Sequence, residues 1–94
     1  MMYSVRKGVS RVQICGVFFL ISNREASEFC PSIKKVNLLI SAALEIIEKG
    51  DPVENIYKAY SILAKVDIDK AKVKIDKMLN DLYIQGYLVK GSDI

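Results

Sequence analysis

The sequence predicts a small α+β domain, and two patterns along the chain indicate it. In the first third, apolar and polar residues alternate with the period of two typical of a half-buried strand, as from Arg11 to Ile14. From Asn37 onward, apolar residues recur at intervals of three and four, which is the helical period. The chain has 94 residues, 51% of them hydrophobic, which suffices for one core and is too short for two. We therefore expect one domain over residues 1–94.

Three short strands are expected before the first helix. Val12 and Ile14 belong to a strand that turns at Gly16 and returns through residues 17–21. This return strand is apolar on both faces, so both faces need cover, and helices later in the chain are the available cover. After a polar loop, residues 32–36 form the third strand, and its two lysines suit a sheet edge.

Three helices are expected after the strands. Asn37 is a favourable N-cap for the first helix, which Gly50 ends. Asp51 is predicted to cap the second helix, with Pro52 at the first helical position and Glu54 completing a capping box.

The third helix is expected to start near Asp67 or Asp69, run to about Gln85 and end at Gly86, after which residues 87–89 fold back onto the core. The last two helices, joined by a short turn, form a helix-turn-helix arrangement beside the sheet. The residues with core spacing are Leu39, Ala43, Ile46 and Ile47 in the first helix, Val53, Ile56, Tyr57, Tyr60, Leu63 and Ala64 in the second, and Ile68, Ala71, Ile75, Met78, Leu79 and Leu82 in the third.

The composition argues against an enzyme. The chain has no histidine, so it lacks the commonest general base and the commonest transition-metal ligand. It also lacks the glycine-rich phosphate loops and the H-E-x-x-H and G-x-S-x-G motifs. Carboxylates such as Glu45, Glu48 and Asp76 fall on predicted helix surfaces, where solvation is their expected role. We therefore predict a non-enzyme with no cofactor and no metal.

Charge and cysteine content suggest a cytoplasmic protein. The formal net charge of +3 allows an acidic partner without requiring one. Cys15 and Cys30 lack C-x-x-C spacing and are expected to be buried, reduced thiols, with a disulfide between them as the alternative. Residues 6–21 imitate a secretory signal, but Gln13 interrupts the apolar run and no A-x-A site follows. No stretch reaches the roughly 20 apolar residues that span a bilayer.

Two features of the sequence could form a binding surface. The third helix carries its lysines in its N-terminal half, where the macrodipole is already positive, so an anionic partner would relieve them. At 100° per residue one flank of this helix holds Lys70, Lys74, Lys77, Met78 and Asp81, whereas Lys72 lies on the other side. The second feature is the predicted edge strand, Ile33, Lys34, Lys35 and Val36, which could accept a foreign strand. A solvated lysine face and an edge charged only for solubility remain the alternatives.

The chain resembles the PqqD-like family of peptide-binding proteins, also called RiPP recognition elements, over nearly its whole length. Four segments carry the resemblance: Phe19-Leu20-Ile21, residues 30–37 (CPSIKKVN), residues 42–47 (AALEII), and the closing Met78-Leu79-x-x-Leu82-x-x-x-Gly86-Tyr87-Leu88.

The resemblance implies a winged helix-turn-helix fold that performs no chemistry. It implies that the protein binds the leader region of a ribosomally made precursor peptide, which adds as a strand to the third strand and lies against the third helix. Carried onto this chain, the site is Ile33–Val36 and the flank with Lys74, Met78 and Asp81. The resemblance also implies a separate modifying enzyme as partner, such as a radical enzyme, a cyclase or a protease. The longer connection over residues 22–32 departs from the family and leaves the register of the third strand open.

Two other functions compete with this interpretation. A DNA-binding winged helix would place the third helix in the major groove, but that helix has no arginine, and its aspartates would repel phosphate. Alternatively, Val73 and Ile84, predicted to be exposed, could form a patch that docks a larger enzyme. We expect no nucleic acid and no membrane as partners in the preferred interpretation.

Overall fold

The computed structural model describes residues 3–91. These form an α+β fold with three helices and with five strands in two sheets. The elements are β1 (Tyr3–Val5), β2 (Val9–Ile14), β3 (Val17–Ser22), a 3-10 turn (Ala26–Glu28), β4 (Ile33–Val36), α1 (Leu38–Glu48), α2 (Val53–Ala64), α3 (Ile68–Ile84) and β5 (Leu88–Lys90). The predicted α+β class and the three helices are confirmed, and the three predicted strands correspond to β2, β3 and β4.

The larger sheet is antiparallel in the order β2-β3-β4. The β2–β3 hairpin turns through Cys15 and Gly16, whose φ angles of 51° and 78° both lie in the left-handed region. Two positive φ angles define the type I′ turn, whose twist matches that of the paired strands. The turn at Gly16 was predicted, but Cys15 is exposed rather than buried.

The sequence patterns do not predict the second sheet, which is formed by β1 and β5. Tyr3 pairs with Lys90 and Val5 with Leu88, so the two ends of the described chain lie side by side. Each strand has only three residues, too few for an alternation pattern to predict it. The prediction of three strands is therefore corrected to five, with one of them after α3.

The caps of α1 and α2 differ from each other. Asn37 caps α1 as predicted, because its Oδ1 accepts a hydrogen bond from the backbone N–H of Ile40 at 2.9 Å. The prediction that Asp51 caps α2 is wrong. The N-cap is Pro52, which has extended backbone and no side-chain cap, so the capping box does not form.

Two helices end at glycines in the same hydrogen-bonding motif. After α1, Gly50 has a φ of 78° and the Asp51 N–H donates to the Ile46 carbonyl at 3.2 Å. After α3, Gly86 has a φ of 95° and the Tyr87 N–H donates to the Leu82 carbonyl at 3.0 Å. This is the Schellman motif, in which glycine accepts the left-handed conformation without a steric penalty.

The core lies between the helices and one face of the larger sheet. Its largest fully buried side chains are Leu20, Leu44, Ile56, Ile75, Leu79, Leu82, Tyr87 and Leu88. Arg11 ties β2 to α1, since its Nε and one terminal nitrogen each lie 3.2 Å from a carboxylate oxygen of Glu48.

Three predictions about buried surface are wrong. Helices cover only one face of β3, because Ile21 remains exposed on the other face together with Ile14 and Ile33. Leu63 and Ala64, predicted as core, are exposed at the end of α2, and Ile68 is exposed at the start of α3. The apolar stripes of α2 and α3 therefore extend beyond the part of each helix on which another described element packs.

Replacing Gly86 with alanine tests the close contact at the end of α3. A Cβ at Gly86 would overlap the carbonyl oxygen of Phe29, in addition to the strain of its positive φ. We expect Gly86→Ala to lower the free energy of unfolding by about 3 kcal/mol or more, measured by urea denaturation. Gly50→Ala is the matched control, because Gly50 has the same motif and no atom within 4 Å of an added Cβ. Its expected cost is about 1–2 kcal/mol, and equal losses at both positions would contradict the clash.

Candidate functional site

Strand β4 is an edge strand in the described part of the chain. The Ser22 N–H donates to the Ser32 carbonyl at 2.8 Å, just before β4 begins. Hydrogen-bonded pairs alternate along an antiparallel ladder, so Lys34 is the next position bonded to β3. The N–H and C=O groups of Ile33 and Lys35 therefore point away from β3, toward the free edge.

The side chains of β4 divide between two faces. Lys34 and Val36 share the core face with Leu20, and Val36 is buried. Ile33 and Lys35 lie on the outer face and are exposed. Of the four predicted site residues in β4, Val36 is buried and its backbone groups face β3, so it can contribute only packing, whereas the other three have accessible side chains.

One flank of α3 is occupied by other elements of the fold. The Tyr57 hydroxyl of α2 donates to an Asp76 carboxylate oxygen. Tyr3 of β1 packs edge-on against Tyr83, with ring centroids 6.4 Å apart. Lys72 lines the same cleft, together with Tyr3, Tyr57 and Asp76. This flank therefore faces α2 and β1.

The opposite flank of α3 holds the predicted site residues. Lys70, Lys74, Lys77 and Asp81 are exposed, and Met78 is half-buried against the core. Within residues 3–91, none of these four charged side chains forms an ion pair within 4.0 Å. Val36 of β4 is buried in the hydrophobic core against which Met78 also packs.

The outer face of the larger sheet was not singled out in the sequence as a surface. Ile14, Ile21 and Ile33 are exposed there, at 56%, 36% and 59% of their accessible surface. The signal was present in the sequence, since β3 is apolar on both faces, but helices were expected to cover both. The free edge of β4 thus adjoins an apolar face on one side and the helical layer on the other.

Metal-ligating groups and the buried thiol are the other candidates for a functional site in the described residues. No group of three or more Cys, Asp and Glu side chains within residues 3–91 is arranged to hold a metal ion. The buried Cys30 thiol lies 3.1 Å from the Ser22 hydroxyl and donates to the Ala26 carbonyl at 3.3 Å. Val73 and Ile84 are exposed as predicted, at 72% and 71%.

Comparisons of the chain with protein-family models, with curated proteins and with solved structures find no match. Among the described helices, none combines the length and the apolar character needed to cross a membrane.

Unfolding measurements at alkaline pH test the hydrogen bond between Tyr57 of α2 and Asp76 of α3. Burial, followed by the hydrogen bond to Asp76, raises the pKa of Tyr57 above its usual value of 10. The resulting stability is fully present below the unfolded-state pKa and is lost as pH rises through the higher folded-state pKa. We expect the free energy of unfolding to decline above about pH 10, and Tyr57→Phe to weaken this decline. Urea titrations at pH 8 and 11 measure it, and a decline unchanged in both Tyr57→Phe and Asp76→Asn would contradict the assignment.

Proposed function

We propose that this protein binds an extended peptide along the free edge of β4 and presents it to a separate modifying enzyme. The peptide is the leader region of a ribosomally synthesised precursor, as the resemblance to PqqD-like proteins implies. The observation that carries the proposal is the pair of outward-facing backbone positions, Ile33 and Lys35, on an edge strand of the larger sheet.

Strand addition suits this edge for two reasons. A peptide strand would hydrogen-bond to the N–H and C=O groups of Ile33 and Lys35, which gives affinity without regard to sequence. Side chains of the peptide would alternate between the apolar outer face beside Ile33 and the helical layer beside Lys34. Selectivity would then come from apolar anchors spaced two residues apart.

The charge of α3 favours an acidic peptide. Lys70, Lys74 and Lys77 are exposed, and Lys70 lies in the first turn of α3, where the macrodipole is positive. With no carboxylate of the described residues within ion-pair distance, they remain available to a partner. A peptide that carries acidic residues beside its apolar anchors would gain from both surfaces.

The order of elements supports the finer description of the fold as a winged helix-turn-helix. A three-residue connection joins α2 to α3, and the strands pack beside them. In this arrangement α3 holds the place that a DNA-binding protein uses for base contacts, so duplex DNA is the competing ligand. Asp81 on the open flank disfavours phosphate, and α3 has no arginine for base recognition.

Proline at position 35 tests strand addition. Lys35→Pro removes one outward N–H, while the bonds of Lys34 to β3 remain, and proline is tolerated on edge strands. We expect at least about a tenfold loss of affinity for the leader peptide encoded in the nearest short open reading frame, measured by calorimetry. Lys35→Ala separates the charge from the backbone, because it keeps the N–H.

The matched control for this prediction is Gln13→Pro on the opposite edge of the sheet. The Asn23 N–H donates to the Gly8 carbonyl, so even-numbered β2 positions bond to β3 and the Gln13 N–H points outward. Gln13 is exposed like Lys35. Full affinity in Lys35→Pro, or equal losses in both variants, would refute addition at β4.

A second prediction distinguishes the two flanks of α3. We expect Lys74→Ala to weaken binding of the leader peptide by about threefold to tenfold and to reduce its salt dependence, because Lys74 lies on the open flank. Lys72→Ala is the control, since Lys72 lines the cleft with Tyr57. NMR titrations of labelled protein would show which residues shift. Shifts with duplex DNA and none with leader peptide would replace the proposal with a DNA-binding function.

A further inference from the structure

The outer face of the larger sheet combines apolar side chains with a single charge. Strand alternation places on it Ser10, Val12 and Ile14 of β2, Val17, Phe19 and Ile21 of β3, and Ile33 and Lys35 of β4. In this set Lys35 is the only charged residue, and Ser10 is the only other polar one. Within residues 3–91 the Lys35 ammonium group forms no ion pair within 4.0 Å. A partner lying on this face along β4 therefore meets hydrocarbon beside Ile33 and a cation beside Lys35.

The register between β3 and β4 places these two residues in neighbouring rows across the sheet. Ile33 lies directly opposite Ile21. Lys35 lies directly opposite Phe19. Both are non-hydrogen-bonded pairs, because the hydrogen-bonded position between them is Lys34, and in such pairs the two side chains lie closest together. One row thus reaches the free edge as an aliphatic pair, and the next row reaches it as a lysine.

A peptide strand added to β4 would extend both rows by one residue. In an antiparallel pair, Ile33 and Lys35 would each exchange two backbone hydrogen bonds with one peptide residue, and those two peptide residues lie two positions apart. Both of their side chains share the outer face, whereas the residue between them faces the helical layer beside Lys34. The larger sheet is antiparallel throughout, and antiparallel pairing is slightly more stable than parallel pairing. The peptide residue beside Lys35 therefore precedes the one beside Ile33.

The two outer-face positions accept different side chains. Beside Ile33, which is 59% exposed, an apolar side chain removes hydrocarbon of both partners from water. A carboxylate at that position would lose hydration without gaining a partner. Beside Lys35, an acidic side chain forms a cross-strand ion pair and a basic side chain is repelled. The sheet thus distinguishes the order of two peptide residues, in addition to any preference for acidic residues that comes from α3.

We infer that the outer face selects a peptide in which an acidic residue precedes an apolar residue by two positions. The acidic side chain lies beside Lys35, and the apolar side chain lies beside Ile33. The inference rests on the proposed strand addition at β4 and names the class of sequence that this edge accepts. It also gives the uncovered outer face a role, because the apolar residue of the peptide would shield Ile33 and the neighbouring Ile21 from water.

Synthetic threonine-rich peptides test the order of the two residues, because threonine favours extended backbone and is neither acidic nor strongly apolar. One peptide carries glutamate two residues before leucine, and its matched control carries the same residues in reverse order. The reversed peptide can make only one of the two contacts at a time. We expect the forward peptide to bind at least about threefold more tightly in NMR titrations of labelled protein. Equal affinities, or tighter binding of the reversed peptide, would overturn the inference.

Exchanging the charges tests the position of the acidic residue. In Lys35→Glu, a peptide with lysine in place of the glutamate should bind at least about threefold more tightly than the original peptide, which reverses the wild-type preference. Lys34→Glu is the matched control, since it makes the same change of charge on the other face of the same strand and should not reverse the preference. Reversal in both variants, or in neither, would contradict the placement beside Lys35.

Removing the aliphatic contact tests the position of the apolar residue. Ile33→Thr should abolish the preference for leucine over threonine in the peptide. Ile14→Thr is the matched control, because Ile14 is 56% exposed on the same face but lies in β2 at the far side of the sheet, and it should keep that preference. Equal behaviour of the two variants would contradict the contact with Ile33.

Lys35→Pro separates this inference from the proposed function. If it leaves the affinity of every peptide unchanged, or if no peptide binds, strand addition at β4 fails and the inference fails with it. If it weakens all the peptides while residue order and charge exchange have no effect, the peptide adds at β4 and only the inference is overturned.

Discussion

The close packing of the turn after α3 against the segment before β4 holds the fold together. Gly86 brings the backbone of this turn against Phe29 so closely that no side chain fits between them. Arg6 bridges the same point, because its N–H donates to the Tyr87 carbonyl at 2.9 Å and its Nε to the Gly86 carbonyl at 2.6 Å. Its guanidinium carbon lies 4.2 Å from the centre of the Phe29 ring.

This contact sets the position of the candidate site. It joins the start of the described chain, the loop that leads into β4 and the end of α3, which are distant in sequence. The position of β4 beside the helical layer follows from it, since Cys30 is buried three residues before the strand and Tyr87 is fully buried three residues after α3 ends. Tyr57 and Asp76 then fix which flank of α3 faces α2. Edge strand and open flank are thus held by the same framework.

The exposed surface separates into regions of different chemistry. The edge of β4 and the open flank of α3 offer unpaired backbone groups and lysines, which suit an extended acidic peptide. The groove between α1 and α2 is lined by aliphatic residues and Tyr60.

The sequence by itself determined the features that depend on neighbours a few residues apart. The hairpin at Gly16, the Asn37 cap, the ends of α1 and α3 at glycines and the buried stripe of α3 all follow from local backbone preference and helical period. The candidate strand Ile33–Val36 and the lysine flank were also readable, because alternation and helical angle place them. The Asp51 capping box does not form, because α2 starts one residue later than predicted, with Pro52 as its N-cap.

Only the tertiary structure decided the features that depend on distant residues. The β1–β5 pairing joins strands more than eighty residues apart, and each is too short to show a period. A stripe of apolar residues predicts burial but does not say which element buries it. Leu63 and the outer face of β3 were therefore expected to be covered, although no element within residues 3–91 covers them. The flank of α3 that stays open was likewise settled by the contacts of Tyr57 and Tyr3, because a helical wheel gives the angle between side chains and not the direction in which the helix faces its neighbours.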